Sequence, residues 1–196
     1  VFSWSVLIFT SGINIFILLS FFCFAIIFLA YLIIYVPKFN YIQGRILSFF
    51  DRETGTHNFQ SDKAIDSITS GGFFGKGIGE GILKNRVPEA HTDYIISVIS
   101  EEFGVVAIML ILLLFLIFIY MVFKKISFET DDKIKLILIG SISLILMQAT
   151  IHIGVNIRLF PTTGMTLPFL SYGGSSIIST SILAGIILNL TKRKIN

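Results

Sequence analysis

Four stretches of this chain carry no charged side chain: Val1 to Pro37, Phe103 to Phe123, Leu136 to Ile157 and Leu159 to Thr191. A helix needs ~20 mostly apolar residues to cross a bilayer core, where every backbone polar group must be satisfied within the segment. A soluble domain needs a polar surface. With 54% hydrophobic and 14% charged residues, there is little here to build one. The pattern predicts an all-α integral membrane protein, a multi-pass helical bundle.

The basic residues give its orientation. Lys192-Arg193-Lys194 follows the last apolar stretch, and the loop from Lys124 to Lys135 holds four lysines. Lys and Arg favour the cytoplasmic side, so both belong there. We expect spans at about 13–36, 104–123, 136–157 and 173–190. Val1 to Val36 is too long for one span and too short for two, and Ser11, Gly12 and Asn14 form a polar break within it. We read the end of one helix, a tight turn, then a full span. Because the chain opens at Val1 inside an apolar run, we expect an excerpt of a longer protein and read no signal peptide there. Cys23, the single cysteine, sits in an apolar run and is read as a lipid-facing or packing residue. The net charge of +3 reflects membrane-edge clusters, not a nucleic-acid footprint.

Residues 37–103 then form a long extracytoplasmic loop with seven basic and nine acidic residues. Loops of that length usually carry function. Gln60 to Ser70 reads as a short amphipathic helix, capped by Ser61 or Asp62, with Ala64, Ile65 and Ile68 on one face. That face would lie on the membrane surface or re-enter beside the spans. Gly71-Gly72 stops it. The run Gly71-Gly72-Phe73-Phe74-Gly75-Lys76-Gly77-Ile78-Gly79-Glu80-Gly81 could cradle phosphate, but it matches no established phosphate-loop spacing. On spacing alone it reads as a flexible turn between surface helices.

Glu89, His91, Thr92 and Asp93 cluster ahead of an apolar-rich helix that reaches Glu101-Glu102. Thr92 or Asp93 at that position would cap the helix. The functional alternative makes Asp93 a proton acceptor for a substrate hydroxyl at the membrane rim. Glu89, His91 and Asp93 lack diagnostic metal spacing. Arg158 to Ser176 holds two prolines and three glycines. It reads either as broken backbone lining a cavity or as a loop with a small-residue helix contact at Gly173, Gly174, Ser175 and Ser176.

Several segments in order carry a resemblance. They are Arg45 to Asp51, Ser70 to Gly77, Pro88-Glu89-Ala90-His91-Thr92-Asp93, Glu101-Glu102-Phe103-Gly104, and Gly164 to Ser176. Together they resemble the shape, elongation, division and sporulation (SEDS) glycosyltransferases. Gly79-Glu80-Gly81 before Lys84, Ala90, and Gly164 to Pro168 are more similar to the family's cell-division member than to its elongation member.

The resemblance implies the C-terminal part of a single membrane domain in the bacterial cytoplasmic membrane. It implies a polymerase of lipid II, the undecaprenyl-pyrophosphate-linked disaccharide pentapeptide, with a class B penicillin-binding protein and other division-machinery membrane proteins as partners. It places the catalytic aspartate at Asp93. Substrate contacts fall at Glu89, His91, Thr92, Ser171, Tyr172, Gly173 and Gly174. Lys76, Lys84 and Arg86 are the nominated cations for the departing pyrophosphate, Lys76 first, and a divalent cation, Mg2+ or Mn2+, could share that role. Tyr94, Ser100 and His152 depart from the family pattern. Without the family's N-terminal helices, which help form the cavity, we expect this stretch alone to be inactive. Two other classes compete: a transporter of the lipid-linked precursor and a non-catalytic division scaffold. The near absence of ionisable residues in the spans disfavours ion-coupled transport.

Overall fold

The computed structural model describes residues 2–50, 56–82 and 90–192. These form seven α-helices, a short 3-10 turn and no strand. Helix α1 spans Phe2–Thr10 and α2 spans Ile15–Tyr35. The polar break between them is a turn: Gly12 takes φ +90°, and the Asn14 side chain accepts from the Phe16 N–H at 3.1 Å to start α2. A residue before proline is pushed out of the helical region. Val36, before Pro37, is extended and closes α2. A 3-10 turn at Pro37–Phe39 leads into α3, Asn40–Phe50. Helix α3 lies within the stretch expected as an extracytoplasmic loop and adds an ordered helix to it.

Helix α4 runs Thr56–Gly71, so Ser61 and Asp62 lie inside it and do not cap it. Among its described side chains the buried positions are Ser61, Ala64, Ser67 and Gly71; Ile65 and Ile68 are only half-buried. Small side chains let backbones approach closely, and α4 packs on the start of α5 along this row. A Cβ on Gly71 would overlap the Ser100 carbonyl. This face therefore meets protein and is not laid on a membrane surface.

Helix α5 spans Ile95–Phe128 and breaks at Gly104, with φ 78° and ψ −178°. The glycine-rich run is an ordered clamp on this break, not a loose turn. Val105 and Val106 donate to the carbonyls of Gly72 and Phe73 at 3.0 and 3.3 Å, and the N–H groups of Lys76 and Gly77 return to the carbonyls of Glu101 and Glu102 at 2.9 and 3.1 Å. The clamp satisfies backbone groups that the kink leaves open. Below the break, residues 105–128 rise about 36 Å, enough for a bilayer core.

Helix α6, Asp132–Asn156, starts where the Asp131 carboxylate accepts from the Lys133 N–H at 2.9 Å. Helix α7 spans Gly174–Lys192. Helices α2, α5, α6 and α7 are long and apolar enough to cross a membrane. Val122, Leu138, Ile142, Ile145 and Ile187 join α5, α6 and α7 in one buried cluster. Ala64, Ala90, Tyr94, Val98 and Val155 form a second at the opposite end of α6. Helix α2 leaves Phe16, Phe21, Phe24 and Phe28 exposed, with Cys23 beside them.

Candidate active site

The chemistry-bearing segments meet where α5 begins and α6 ends. The N-cap position of α5 is Tyr94, whose side chain makes no capping hydrogen bond. Neither Thr92 nor Asp93 therefore fills the cap position expected of them. The turn is instead held through three successive carbonyls. Tyr172 N–H donates to His91 O at 3.1 Å, Ser171 Oγ to Thr92 O at 2.7 Å, and Asn156 Nδ2 to Asp93 O at 3.0 Å. Tyr94, 2% exposed, anchors the turn from below, its hydroxyl 3.5 Å from Ser61 Oγ.

Asp93 is half-buried as a residue and His91 is exposed. Oδ2 of Asp93 lies 3.5 Å from where a Cβ on Gly164 would sit, and Gly164 has φ +70°. The loop from 157 to 173 thus brings its backbone against the acid. A polar stripe on α6 holds that loop. Gln148 Nε2 donates to Thr166 O at 3.0 Å and to Ser176 Oγ at 2.9 Å. His152 Nδ1 lies 2.7 Å from Met165 O, so Nδ1 carries the proton there. Asn156 completes the stripe. Interhelical hydrogen bonds of this kind contribute about 0.6–2 kcal/mol each within a membrane. Arg158, held at φ +60°, ties the same loop to α4 by an ion pair with Asp62. The buried His152 Nε2 and Ser100 Oγ have no partner among the described residues.

Other nominated residues are distributed differently. Lys76 lies at Glu101, with Nζ 3.2 Å from Oε1. Glu101 also accepts from the Ile82 N–H at 3.0 Å and from Ser67 Oγ at 3.5 Å. That puts Lys76 roughly 9 Å of helical rise beyond the start of α5. Its first role is to neutralise a buried acid, which spacing alone did not reveal. Ser171 is buried, with Oγ also accepting from the Leu167 N–H at 2.8 Å; Tyr172 is 78% exposed and anchored through its backbone. A Cβ on Gly173 would touch Thr166 Cγ2 at 3.2 Å, while Gly174 has nothing within 4 Å. The small-residue contact expected at 173–176 is therefore mainly a polar one, through Ser176. Lys84, Arg86 and Glu89 lie outside the described residues.

Among the described residues no group of three or more His, Cys, Asp or Glu side chains converges to hold a metal. The residues missed in sequence were Ser97, Gln148 and Asn156. Positions 148, 152 and 156 repeat every fourth residue on an otherwise apolar helix, and that polar stripe was the available signal.

Fold and site define a helical membrane protein whose half-buried aspartate, Asp93, sits at one end of a bundle of membrane-length helices. All 196 residues match the model of the FtsW/RodA/SpoVE family, described as cell cycle protein, and the chain belongs to that family. With that membership, the four long apolar helices make it an integral membrane protein.

It is 33% identical over 181 residues to the probable peptidoglycan glycosyltransferase FtsW of Enterococcus hirae, covering 87% of this chain and 46% of that relative. To the protein of the same description in Caulobacter vibrioides it is 36% identical over 158 residues, covering 80% and 40%. A solved chain from work on the structural coordination of polymerization and crosslinking by a peptidoglycan synthase complex superposes with a TM-score of 0.71. It is 26% identical, with 97% of this chain and 52% of that chain covered. The chain thus spans about half the length of the curated relatives it matches.

Proposed function

We propose that the protein containing this chain is an inverting glycosyltransferase that polymerises lipid II into glycan strands during septal wall synthesis. Residues 1–196 form the C-terminal part of its single membrane domain. One observation carries the reading: the carboxylate of Asp93 stands on a turn whose three carbonyls are each held by a donor from another segment. The names of the FtsW relatives support the activity.

Asp93 removes the proton from the 4-hydroxyl of the acceptor N-acetylglucosamine. That oxygen bonds to the anomeric carbon of the donor N-acetylmuramic acid as the bond to undecaprenyl pyrophosphate breaks, and the leaving group takes the electron pair. Attack opposite the leaving group turns an α-linked donor into a β-linked glycan. A positioned general base contributes ~100- to 10,000-fold. Lys84 and Arg86 are the remaining nominees to meet the pyrophosphate charge, with Lys76 shared between that role and Glu101. His91 and Thr92 precede the acid on its turn, and Tyr172 is joined to that turn through His91 O; these residues, with Gly173 and Gly174, are assigned to the sugar.

The lysine-rich 124–135 loop and the C-terminus face the cytoplasm of a bacterial inner membrane, and 37–103 faces outward. A class B penicillin-binding protein crosslinks the product, alongside other division-machinery membrane proteins. Purified full-length protein with its partner, given lipid II in detergent, should form glycan chains, and Asp93→Ala should abolish them while leaving membrane insertion and partner binding intact. Normal polymerisation by Asp93→Ala would remove the base. Lipid II movement across vesicles without polymer would instead support a transporter.

A further inference from the structure

Asn156 ends α6 with its side chain wholly out of solvent. Its amide is a three-way junction. Nδ2 donates to Asp93 O at 3.0 Å and to His152 O at 2.9 Å, and Oδ1 accepts from Ser97 Oγ at 2.9 Å. Only the NH2 end can serve two carbonyls, so the amide has one possible orientation. Ser97 lies in the first turn of α5 and His152 in the last turns of α6. A single side chain therefore locks two helices together at the residue bearing the carboxylate.

The other two carbonyls of the turn, those of His91 and Thr92, are held from the 171–172 side. Asn156 holds the third from the helix side. Its loss removes a restraint on the peptide after Asp93, and rotation about that residue's ψ would move the carboxylate relative to Gly164 and to a sugar beside it.

We propose that Asn156 is a positioning residue for Asp93: through the Asp93 carbonyl it sets where the carboxylate points, without touching substrate. The inference rests on Asp93 being the general base. Misplacing a reacting group by about 1 Å costs on the order of 100-fold in rate.

The test uses the full-length protein in complex with its partner. Asn156→Ala and Asn156→Asp should lower the lipid II polymerisation kcat by about 100-fold, counted per molecule that binds lipid II. KM for lipid II should stay within about twofold. Counting per binding-competent molecule separates misplacement from a loss of folded protein, which would lower the number of binders and leave the rate per binder unchanged. Asn156→Asp keeps the size and the acceptor for Ser97 but presents an oxygen to the Asp93 carbonyl. If the Asn156 variants do not fold, Ser97→Ala frees one arm of the junction and should lower kcat per binder about 5- to 10-fold on the same reasoning.

A rate per binder within threefold of the parent in the folded variants, or a loss expressed in KM alone, overturns the proposal. Asp93→Ala separates the two ideas. If that variant is inactive while Asn156→Asp and Ser97→Ala are normal, only the positioning role falls. If Asp93→Ala polymerises normally, the base itself falls.

Discussion

Lys76 holds its ammonium nitrogen 3.2 Å from Oε1 of Glu101, a carboxylate with 3% of its side chain exposed. The pair joins the glycine-rich clamp to the kinked helix it wraps. Removing one partner of a buried pair strands the other's charge, at about 3–5 kcal/mol. Lys76 is one-third exposed, so Lys76→Met should cost less, about 2 kcal/mol. Adding Glu101→Gln to Lys76→Met should restore most of that, because the carboxamide keeps an acceptor for Ile82 N–H and carries no charge. Thermal unfolding of the three proteins in one detergent checks this, and equal melting temperatures would show the pair to be idle.

The glycines separate into tight and open positions. Gly104 has φ 78°, and a Cβ there would overlap the Phe73 carbonyl. Gly104→Ala should cost about 2–4 kcal/mol from strain and overlap together. It should also expose the amides of Val105 and Val106 to hydrogen exchange. Gly174 starts α7 with open space around it, so Gly174→Ala should leave stability within about 1 kcal/mol. Any loss of polymerisation in Gly174→Ala then reports a clash with substrate, and exchange mass spectrometry beside the activity assay distinguishes the two effects.

Ser171 and Tyr172 adjoin in sequence but differ in what holds them. Ser171 Oγ donates to Thr92 O at 2.7 Å and accepts from Leu167 N–H at 2.8 Å, at 3% exposure. Ser171→Ala removes the acceptor of the buried Leu167 N–H and a donor to Thr92 O, and should cost about 1–3 kcal/mol. Tyr172 anchors the turn through its main chain, with its side chain 78% exposed. Tyr172→Phe should leave the melting temperature unchanged, so a rise in KM for that variant would place its hydroxyl on the sugar or pyrophosphate. An unaltered KM would remove Tyr172 from the substrate contacts.

The helices were legible where their causes are local. The Gly12 turn and the Asn14 cap are written in adjacent residues, as is the stop at Val36 before Pro37. Gly104 marked a boundary correctly, but as a kink within α5 and not as a helix start. The Gly71–Gly81 run was misread as a loose turn because its hydrogen-bond partners lie at 101–106, beyond any local window. The row of Ser61, Ala64, Ser67 and Gly71 was hidden for a related reason. On an amphipathic helix the eye follows Ile65 and Ile68, whereas close backbone packing selects the smallest side chains.

Runs without charge, and the caps and prolines that punctuate them, are properties of neighbouring residues. They settled by themselves that this chain makes long apolar helices with a polar segment between. Which polar atoms meet was decided only when the helices packed. Asn156 reaches Asp93 across 63 positions and Lys76 reaches Glu101 across 25. A hydrogen bond depends on a separation of about 3 Å in space, and hydropathy along the chain carries no measure of that distance.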